Sequence, residues 1–429
     1  MSIIKTEYKK IDECIYSSVL LNGLKVTVIP KKGFNSFYAV LAVDYGGAKQ
    51  KFRLDGKAMS TPAGVAHYLE HKMFDMPDGD NALTRLTNNG ADPNAFTSGD
   101  MTAYYFQCTD KFEENLRLLL HFVTTPYFTD ETVEKERGII AQEIQMGEDN
   151  PGIAIYYNLL RLLYEHHPVR DRVAGTVESI GEITAQTLYD CHRAFYRPAN
   201  MALCVEGDVD VERIIRIAEE EVSGERGNAP EANYGREEGV APAALYKKEV
   251  MPVSAPQFLI GSKFIPEPSG TPLLRQDLVS SLAMRLLVGQ SSPFYTRLYR
   301  SGLLNRDFDY EVDFTAGTGT VIIGGESSDP EAVLEEYKKE LERVAKEGFD
   351  AMSFELAKRA SLGARLRGLE DFENVCIAVV SGAFDGYKAL DSMELSREIT
   401  KEECEAFVRE NLTADRLAIS IITGEEKEQ

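Results

Sequence analysis

The large apolar residues of this chain recur at two spacings, which predicts a mixture of helices and strands. Residues 24–29, 38–43 and 102–108 alternate or run apolar over the length of a strand. Residues 112–123 instead repeat apolar side chains every three or four positions, which is typical of a helix that packs on one face. The pattern therefore predicts helices packed on strands.

Two further predicted helices contain polar residues of chemical interest. One covers residues 63–74 and the other covers residues 129–145, with Asp130 and Glu131 where the helix dipole favours acidic side chains. The cluster 149–152 contains Asn, Pro and Gly, and it predicts the end of the second of these helices.

Residues 224–243 differ in composition from the rest of the chain. Six Gly or Pro residues interrupt a polar stretch that has little apolar periodicity. Such a composition is typical of a linker. It predicts a first half over residues 1–223 and a second half over residues 244–429.

The second half shows one sign of repeating the first. The segment 84–90 has the sequence TRLTNNG, and the segment 296–302, which lies 212 residues later, has the sequence TRLYRSG. Together with a linker in mid-chain, this match favours an internal duplication. The alternative is that TRLxxxG is simply a common helix ending at a Gly cap.

The charge of the chain excludes several classes of partner. Among its 429 residues are 47 Lys or Arg and 69 Asp or Glu, which gives a formal charge of −22. A chain this acidic lacks the basic face that nucleic acids and anionic lipids require. We therefore expect no nucleic-acid partner, and the lack of an apolar run of 18 residues predicts no membrane span.

The cysteines and the N-terminus indicate the cellular compartment. Six cysteines are spread widely and include no CxxC pair, which predicts reduced thiols rather than a disulfide framework or a thiolate zinc site. The first ten residues lack the apolar core of a secretory signal. A cytoplasmic location is expected.

The sequence HYLEH at residues 67–71 is the strongest candidate for chemistry. On a helix, His67 and His71 share a face, so that both imidazoles can reach one metal ion. Glu70 lies beside that face, where a carboxylate can take a proton from metal-bound water. Zinc suits two imidazoles and one oxygen ligand. The alternative is a surface helix with two histidines that came together by chance.

A third protein ligand is needed, and Glu136 and Glu143 are candidates. They lie seven residues apart on the helix predicted over 129–145, and hence on one face. The mostly apolar stretch 138–141 between them suggests that this helix is buried, where carboxylates should be paired or metal-bound. The alternative is that both are solvated surface acids, which are common in so acidic a chain.

These residues resemble a known family. HxxEH followed by a glutamate 72 positions after the second His is similar to the inverzincins, the pitrilysin–insulinase family of zinc peptidases. The resemblance covers nearly the whole chain and includes the segments 94–97, 136–143, 175–180 and 196–201. The length matches the mitochondrial-processing-peptidase-like subgroup, in which two such chains form one enzyme. The chain most resembles the bacterial cytoplasmic members that are encoded as a zinc subunit beside a zinc-less partner.

The resemblance implies a fold and a function. The fold is α+β, with two similar halves that are each an antiparallel sheet covered by helices. The function is a zinc metalloendopeptidase that acts on peptides or flexible polypeptides. The competing hypothesis is a non-catalytic scaffold subunit of the same fold.

The resemblance also implies a role for each site residue. His67, His71 and Glu143 bind zinc, and Glu70 is the general base. Glu136 is the acid that supports the site without ligating the metal. The resemblance further implies that Asn94, Ala95 and Phe96 lie on the edge strand with which the family binds substrate.

The second half departs from the family in one segment. The positions that lie 212 residues after His67, Glu70 and His71 hold apolar residues only. A single zinc site is therefore expected, in the first half. The family has an Arg and a Tyr that reach the bound substrate, and here Leu298 and Asn305 stand at those positions while Arg297 is displaced by one. We expect a homologous zinc-less partner subunit to supply them; a homodimer is the alternative.

Overall fold

The computed structural model describes residues 2–425, which form two compact units. The first unit contains residues 2–144, Arg172–Tyr234 and Leu366–Leu390. The second contains Gln145–Asp171, Gly235–Arg365 and residues 391–425. Met1, in the first predicted half, and residues 426–429, in the second, lie outside the described residues.

The strands are β1 (Ile4–Tyr8), β2 (Glu13–Val19), β3 (Lys25–Pro30), β4 (Phe37–Val43), β5 (Lys51–Leu54), β6 (Lys57–Ser60), β7 (Asp92–Thr97), β8 (Thr102–Cys108), β9 (Met201–Gly207), β10 (Glu231–Ala232), β11 (Tyr246–Val250), β12 (Gln257–Phe264), β13 (Asp309–Asp313), β14 (Gly319–Glu326) and β15 (Ala418–Thr423).

The helices are α1 (Val65–Met73), α2 (Ala82–Asn88), α3 (Phe112–Thr124), α4 (Asp130–Glu148), α5 (Pro151–Leu163), α6 (Val177–Gly181), α7 (Ala185–Phe195), α8 (Val211–Glu221), α9 (Gly270–Val288), α10 (Pro293–Ser301), α11 (Pro330–Glu347), α12 (Ala351–Gly368), α13 (Phe372–Asp385), α14 (Ser392–Glu398) and α15 (Lys401–Asn411).

The main sheet of the first unit has seven strands in the order β1-β2-β3-β9-β4-β8-β7. All neighbours are antiparallel except β3 and β9. Strand β4 lies between β9 and β8 and is buried over six of its seven residues, which explains its nearly continuous apolar sequence. Among the strands of residues 2–425, β7 pairs only with β8, and none of them pairs with its other edge.

Helices cover both faces of this sheet. On one face α1, α3 and α8 pack on the strands over a large apolar core that includes Leu41, Leu69 and Leu120. On the other face α13 packs on β9 and β4 through Val375, Cys376 and neighbouring residues. The site described below is built on α1 and on the β7 edge of this sheet.

The second unit has a five-stranded sheet in the order β11-β15-β12-β14-β13. Only β11 and β15 run parallel. Helix α5 packs on β15 and β12, where Leu159 and Leu163 contact residues of the sheet. Helices α9, α11 and α15 pack with one another and on the same sheet. The α+β prediction, with two mostly antiparallel sheets covered by helices, is confirmed.

The two compact units are interleaved along the chain, unlike the predicted halves 1–223 and 244–429. Helix α5 precedes the linker but belongs to the second unit, and α13 follows the linker but belongs to the first. Each of these helices has an apolar face, and apolar periodicity alone does not indicate which sheet that face covers.

The predicted linker 224–243 is held by specific contacts: β10 pairs with β5, and the side chain of Glu238 is anchored. The Glu238 carboxylate accepts hydrogen bonds from the backbone N–H groups of Glu165, His166 and His167 and from Lys263. Burial raises the pKa of Glu238, but the hydrogen bond from Lys263 and the three amides outweigh it and lower the pKa to about 2. Charge and hydrogen bonds therefore fix this part of the linker to the second unit.

Within residues 2–425, no helix has both the length and the apolarity that a membrane crossing requires.

Candidate metal centre

Two glycines fix the start of α1, the helix that contains HYLEH. Gly64 caps the helix with φ 93°, and Gly175 has φ +77°. A Cβ on Gly64 would lie 2.5 Å from the Ala174 carbonyl oxygen, and one on Gly175 would lie 2.6 Å from the Ala63 carbonyl oxygen. The two backbones can approach this closely only because neither residue has a side chain.

Helix α1 presents both histidines on one face, as the spacing predicts. The His67 and His71 rings lie 4.6 Å apart between centroids. Tyr68, which is fully buried, donates its hydroxyl to the carbonyl oxygen of Val133 on α4. This bond joins the helix of the two histidines to the helix of the two glutamates.

Helix α4 is less buried than its apolar stretch suggested. Only Val133, Ile140 and Ile144 of this helix are buried, and Ile139 is 49% exposed. The prediction of a buried helix is therefore wrong, because α4 packs through one narrow face only. The Glu143 side chain is 50% exposed, yet it points at the two histidines.

Three side chains from α1 and α4 converge. Nε2 of His67 lies 3.4 Å from Oε1 of Glu143, and Nε2 of His71 lies 3.6 Å from Oε2 of Glu143. One ligand atom from each residue lies within 4.8 Å of the others. Among the described residues this is the one group of three or more His, Cys, Asp or Glu side chains so arranged.

The spacing of these atoms fits zinc. Tetrahedral zinc with nitrogen and oxygen ligands at about 2.0–2.2 Å separates neighbouring ligand atoms by about 3.4 Å. The observed separations of 3.4 and 3.6 Å match this value. Two imidazoles and one carboxylate are also a donor set typical of catalytic zinc, with a fourth position left for water or substrate.

Glu136 lies next to the three converging side chains and contacts the His71 ring. Its Oε1 lies 3.0 Å from Nδ1 of His71, which leaves Nε2 of that ring facing Glu143. The hydrogen bond with His71 lowers the pKa of Glu136. Burial lowers the pKa of His71, but the hydrogen bond and three neighbouring carboxylates outweigh burial and raise it. The interaction with His67 lowers the pKa of Glu143.

Glu70 is buried, with 8% of its surface exposed, and its carboxylate accepts one hydrogen bond from a hydroxyl group. The Thr97 hydroxyl donates to Oε2 of Glu70 at 2.7 Å. Two buried phenols, Tyr104 and Tyr196, lie nearby with their hydroxyl oxygens 2.7 Å apart. Burial is the main cause of the raised pKa of both tyrosines, and the charge of Glu70 adds to it.

The three predicted substrate-binding residues lie on β7, at the open edge of the sheet. Asn94 is exposed and Ala95 and Phe96 are half-buried. The Ala95 N–H donates to Oδ1 of Asn94 at 2.9 Å. Strand β7 and helix α1 pack on each other, so these three residues lie on a strand that contacts the helix of the two histidines.

The second unit has no counterpart of the metal ligands at the shifted positions. Val279, Leu282 and Ala283 are buried on α9. Leu298, at the position of the family's Arg, is 2% exposed. Arg297 forms ion pairs with Glu336 and Glu340 of α11.

Thr97 is the site residue that the sequence did not single out. It lies 27 positions from Glu70, and no local spacing relates them. The one available signal was its place at the end of the strand that contains Asn94.

Two family models match the chain. One, described as insulinase (peptidase family M16), matches residues 56–177, and another, described as the peptidase M16 inactive domain, matches residues 182–361. The first match contains HYLEH and Glu143.

Relatives and solved structures agree. A Bacillus subtilis protein named as an uncharacterized zinc protease, YmfH, is 39% identical over 96% of this chain and 97% of its own length. A Mycobacterium leprae protein named as an uncharacterized zinc protease is 27% identical over 73% of this chain and 71% of its own.

A crystal structure of an M16-like peptidase from Alicyclobacillus acidocaldarius matches with a TM-score of 0.92 and 33% identity over 99% of both chains. Pitrilysin, at 16% identity, shares the fold with a TM-score of 0.78 over 100% of this chain and 47% of its own.

Proposed function

Because the chain belongs to the insulinase family of peptidases, family M16, we propose that it is a zinc-dependent endopeptidase. Its substrates are peptides or flexible polypeptides. The observation that carries the proposal is the convergence of His67, His71 and Glu143 within 4.8 Å, with the Glu70 carboxylate on the next turn of the same helix.

In this proposal His67 and His71 hold zinc through Nε2 and Glu143 holds it through its carboxylate. Zinc bound there supplies a Lewis acid that makes water nucleophilic near neutral pH and polarises the scissile carbonyl. Glu136 holds the His71 ring through Nδ1, which raises the basicity of the opposite nitrogen.

Glu70 moves the proton. Thr97 occupies Oε2 of its carboxylate, and no other described residue donates to it. Oε1 therefore takes the proton from the attacking water and delivers it to the leaving amine. The burial of Glu70 keeps this carboxylate out of bulk solvent, where a proton would be lost to water.

Substrate is bound at the open edge of β7. An extended peptide adds to such an edge through main-chain hydrogen bonds, with Asn94, Ala95 and Phe96 as its neighbours. Recognition through the main chain tolerates many side chains, which suits a broad endopeptidase.

A homologous zinc-less subunit is the partner that we propose, with a homodimer as the alternative. The support is in the second unit: Leu298 is buried where the family has its Arg, and Asn305 is hydrogen-bonded to Glu326 where the family has its Tyr. Oxyanion donors of this kind are typically worth about 3–4 kcal/mol. A cytoplasmic location is also proposed, since all six cysteines are free thiols in the structure.

The second candidate function is a non-catalytic scaffold subunit. The same two substitutions, Leu298 and Asn305, favour it, as does the match of residues 182–361 to the family's inactive domain. Retention of His67, Glu70, His71 and Glu143 together favours the peptidase, because a scaffold has no need of all four.

Hydrolysis of internally quenched peptides by the purified chain, alone and with a homologous zinc-less subunit, separates the two functions. We expect cleavage that a chelator abolishes, that zinc restores, and that Glu70→Gln lowers about 10²- to 10⁴-fold without loss of zinc. Stoichiometric zinc with no cleavage under either condition would favour the scaffold. Cleavage that persists in Glu70→Gln would refute the role of Glu70.

A further inference from the structure

We propose that Thr97 is a positioning residue that selects which oxygen of Glu70 receives the proton. The inference rests on the proposed peptidase function. It assigns to the last residue of β7 a role in the chemistry, whereas the three residues before it face the substrate edge.

The first step of the argument is the direction of the hydrogen bond. A hydroxyl has one proton, and that of Thr97 lies 2.7 Å from Oε2 of Glu70, a strong acceptor. Among the described residues the carboxylate has no other donor. This bond therefore holds Oε2, and Oε1 accepts no hydrogen bond from a described residue.

The second step compares the two acceptors that the Thr97 hydroxyl can reach, the Glu70 carboxylate and the Thr102 hydroxyl. Thr102, directly opposite Thr97 on β8, is fully buried and donates to the carbonyl oxygen of Tyr45 at 2.8 Å. Its oxygen lies 3.3 Å from that of Thr97. Because the proton of Thr102 is already used by Tyr45, the Thr102 oxygen could only accept a proton from Thr97. Oε2 of Glu70 is the nearer and stronger acceptor, at 2.7 Å against 3.3 Å, so the proton of Thr97 goes to the carboxylate.

The third step concerns the place of Thr97 in the fold. It ends β7 two residues after Ala95, and it is held in register by its pairing with Thr102. A peptide added to the edge of β7 would be aligned by the same strand that orients Glu70. The strand therefore links the position of the scissile bond to the orientation of the base. A residue on α1 that contacted Glu70 would not provide this link.

Two substitutions distinguish this role. Thr97→Val keeps the shape of the side chain and removes its hydroxyl, whereas Thr97→Ser keeps the hydroxyl. We expect Thr97→Val to lower kcat about 10- to 100-fold with KM within about twofold of wild type, and Thr97→Ser to stay near wild type. Zinc stoichiometry and melting temperature should be unchanged in both variants.

Other outcomes would overturn the proposal. An unchanged kcat in Thr97→Val would show that the hydroxyl is dispensable. A rise in KM at constant kcat would place Thr97 in substrate binding instead. A loss of zinc, or a fall in melting temperature that accounts for the lost turnover, would show a structural role.

A crystal structure of Thr97→Val gives a readout that does not depend on turnover. We expect the Glu70 carboxylate to leave its wild-type orientation while His67, His71 and Glu143 keep theirs. An unmoved carboxylate would refute the proposal even if no peptide is ever cleaved. Failure of the peptidase function itself would instead appear as an inactive wild-type protein.

Discussion

Nδ1 of His71 lies 3.0 Å from Oε1 of Glu136, and this contact turns the opposite nitrogen of the ring towards Glu143. The two residues come from different helices, α1 and α4. Carboxylates that bind the second nitrogen of a ligating histidine fix its tautomer and its orientation. This contact supports the proposal that Glu136 orients the His71 ring, and spacing along α4 did not reveal it.

Replacing Glu136 with Gln should weaken zinc binding about 10- to 100-fold, because an amide orients the His71 ring without the charge that raises its basicity. Competition for zinc against a chelator of known affinity measures the change. Glu131→Gln, an exposed residue in the first turn of the same helix, is the matched control. Equal zinc affinity in Glu136→Gln and the control would refute the supporting role of Glu136.

Proline at position 95 should impair peptide binding and leave zinc in place. The Ala95 N–H donates to the Asn94 side chain, so its loss removes a donor from the proposed substrate edge, and an edge strand tolerates proline. We expect Ala95→Pro to raise KM about tenfold or more, measured with a quenched peptide, whereas Ala95→Ser retains the N–H and the wild-type KM. A wild-type KM in Ala95→Pro would exclude this residue from the substrate edge.

Glu238→Gln should lower the stability of the second unit in a manner that depends on pH. The pKa of Glu238 falls from 4.5 to about 2 on folding, so its contribution is full above about pH 4.5 and is lost as the pH falls towards 2. With an allowance for solvent screening this contribution is about 1–2 kcal/mol.

Scanning calorimetry of the wild type and Glu238→Gln tests this expectation. The variant should melt at a lower temperature than the wild type at pH 7, and the difference between the two melting temperatures should be smaller at pH 3.5. Glu237→Gln, the exposed neighbour, is the control. A difference that does not change with pH would contradict the assignment of the effect to the ionised carboxylate.

The effect of Glu206→Gln on stability should depend on pH in the opposite direction. Glu206 is fully buried on β9, between Lys31 and the Cys376 thiol of α13. Burial raises its pKa to about 7 against the lowering effect of Lys31. The folded state thus binds the proton more tightly, and stability is lost as the pH rises from 4.5 through about 7.

Removing this carboxyl should therefore reduce the loss of folded-state stability at high pH. We expect Glu206→Gln to lose less stability than the wild type between pH 5 and pH 8, by up to about 3 kcal/mol. Lys31 retains its ion pair with Glu13 in the variant. Parallel stability curves for the wild type and Glu206→Gln over this pH range would refute the raised pKa.

The sequence predicted the parts of the site that follow from local spacing. His67 and His71 share a face because they are four residues apart on a helix. The two apolar spacings predicted helices packed on strands, whereas the α+β fold with antiparallel sheets came from the family resemblance. Spacing made Glu136 and Glu143 equal candidates for the third ligand, and the family resemblance was needed to choose Glu143.

Features that depend on tertiary packing could not be predicted in this way. The bond from Thr97 to Glu70 forms only when β7 packs on α1. The exchange of α5 and α13 between the two units depends on which sheet each apolar face covers. Glu238 lies in a polar, glycine-rich stretch whose composition gives no sign that three amides and a lysine hold one of its side chains.

The proposed zinc site can be tested by X-ray diffraction from crystals grown with one equivalent of zinc, with data recorded on both sides of the zinc absorption edge. We expect a single anomalous difference peak about 2.0–2.2 Å from Nε2 of His67, Nε2 of His71 and a carboxylate oxygen of Glu143. A map without a peak between these three side chains, or with zinc held by other residues, would contradict the assignment of this chain as a zinc peptidase.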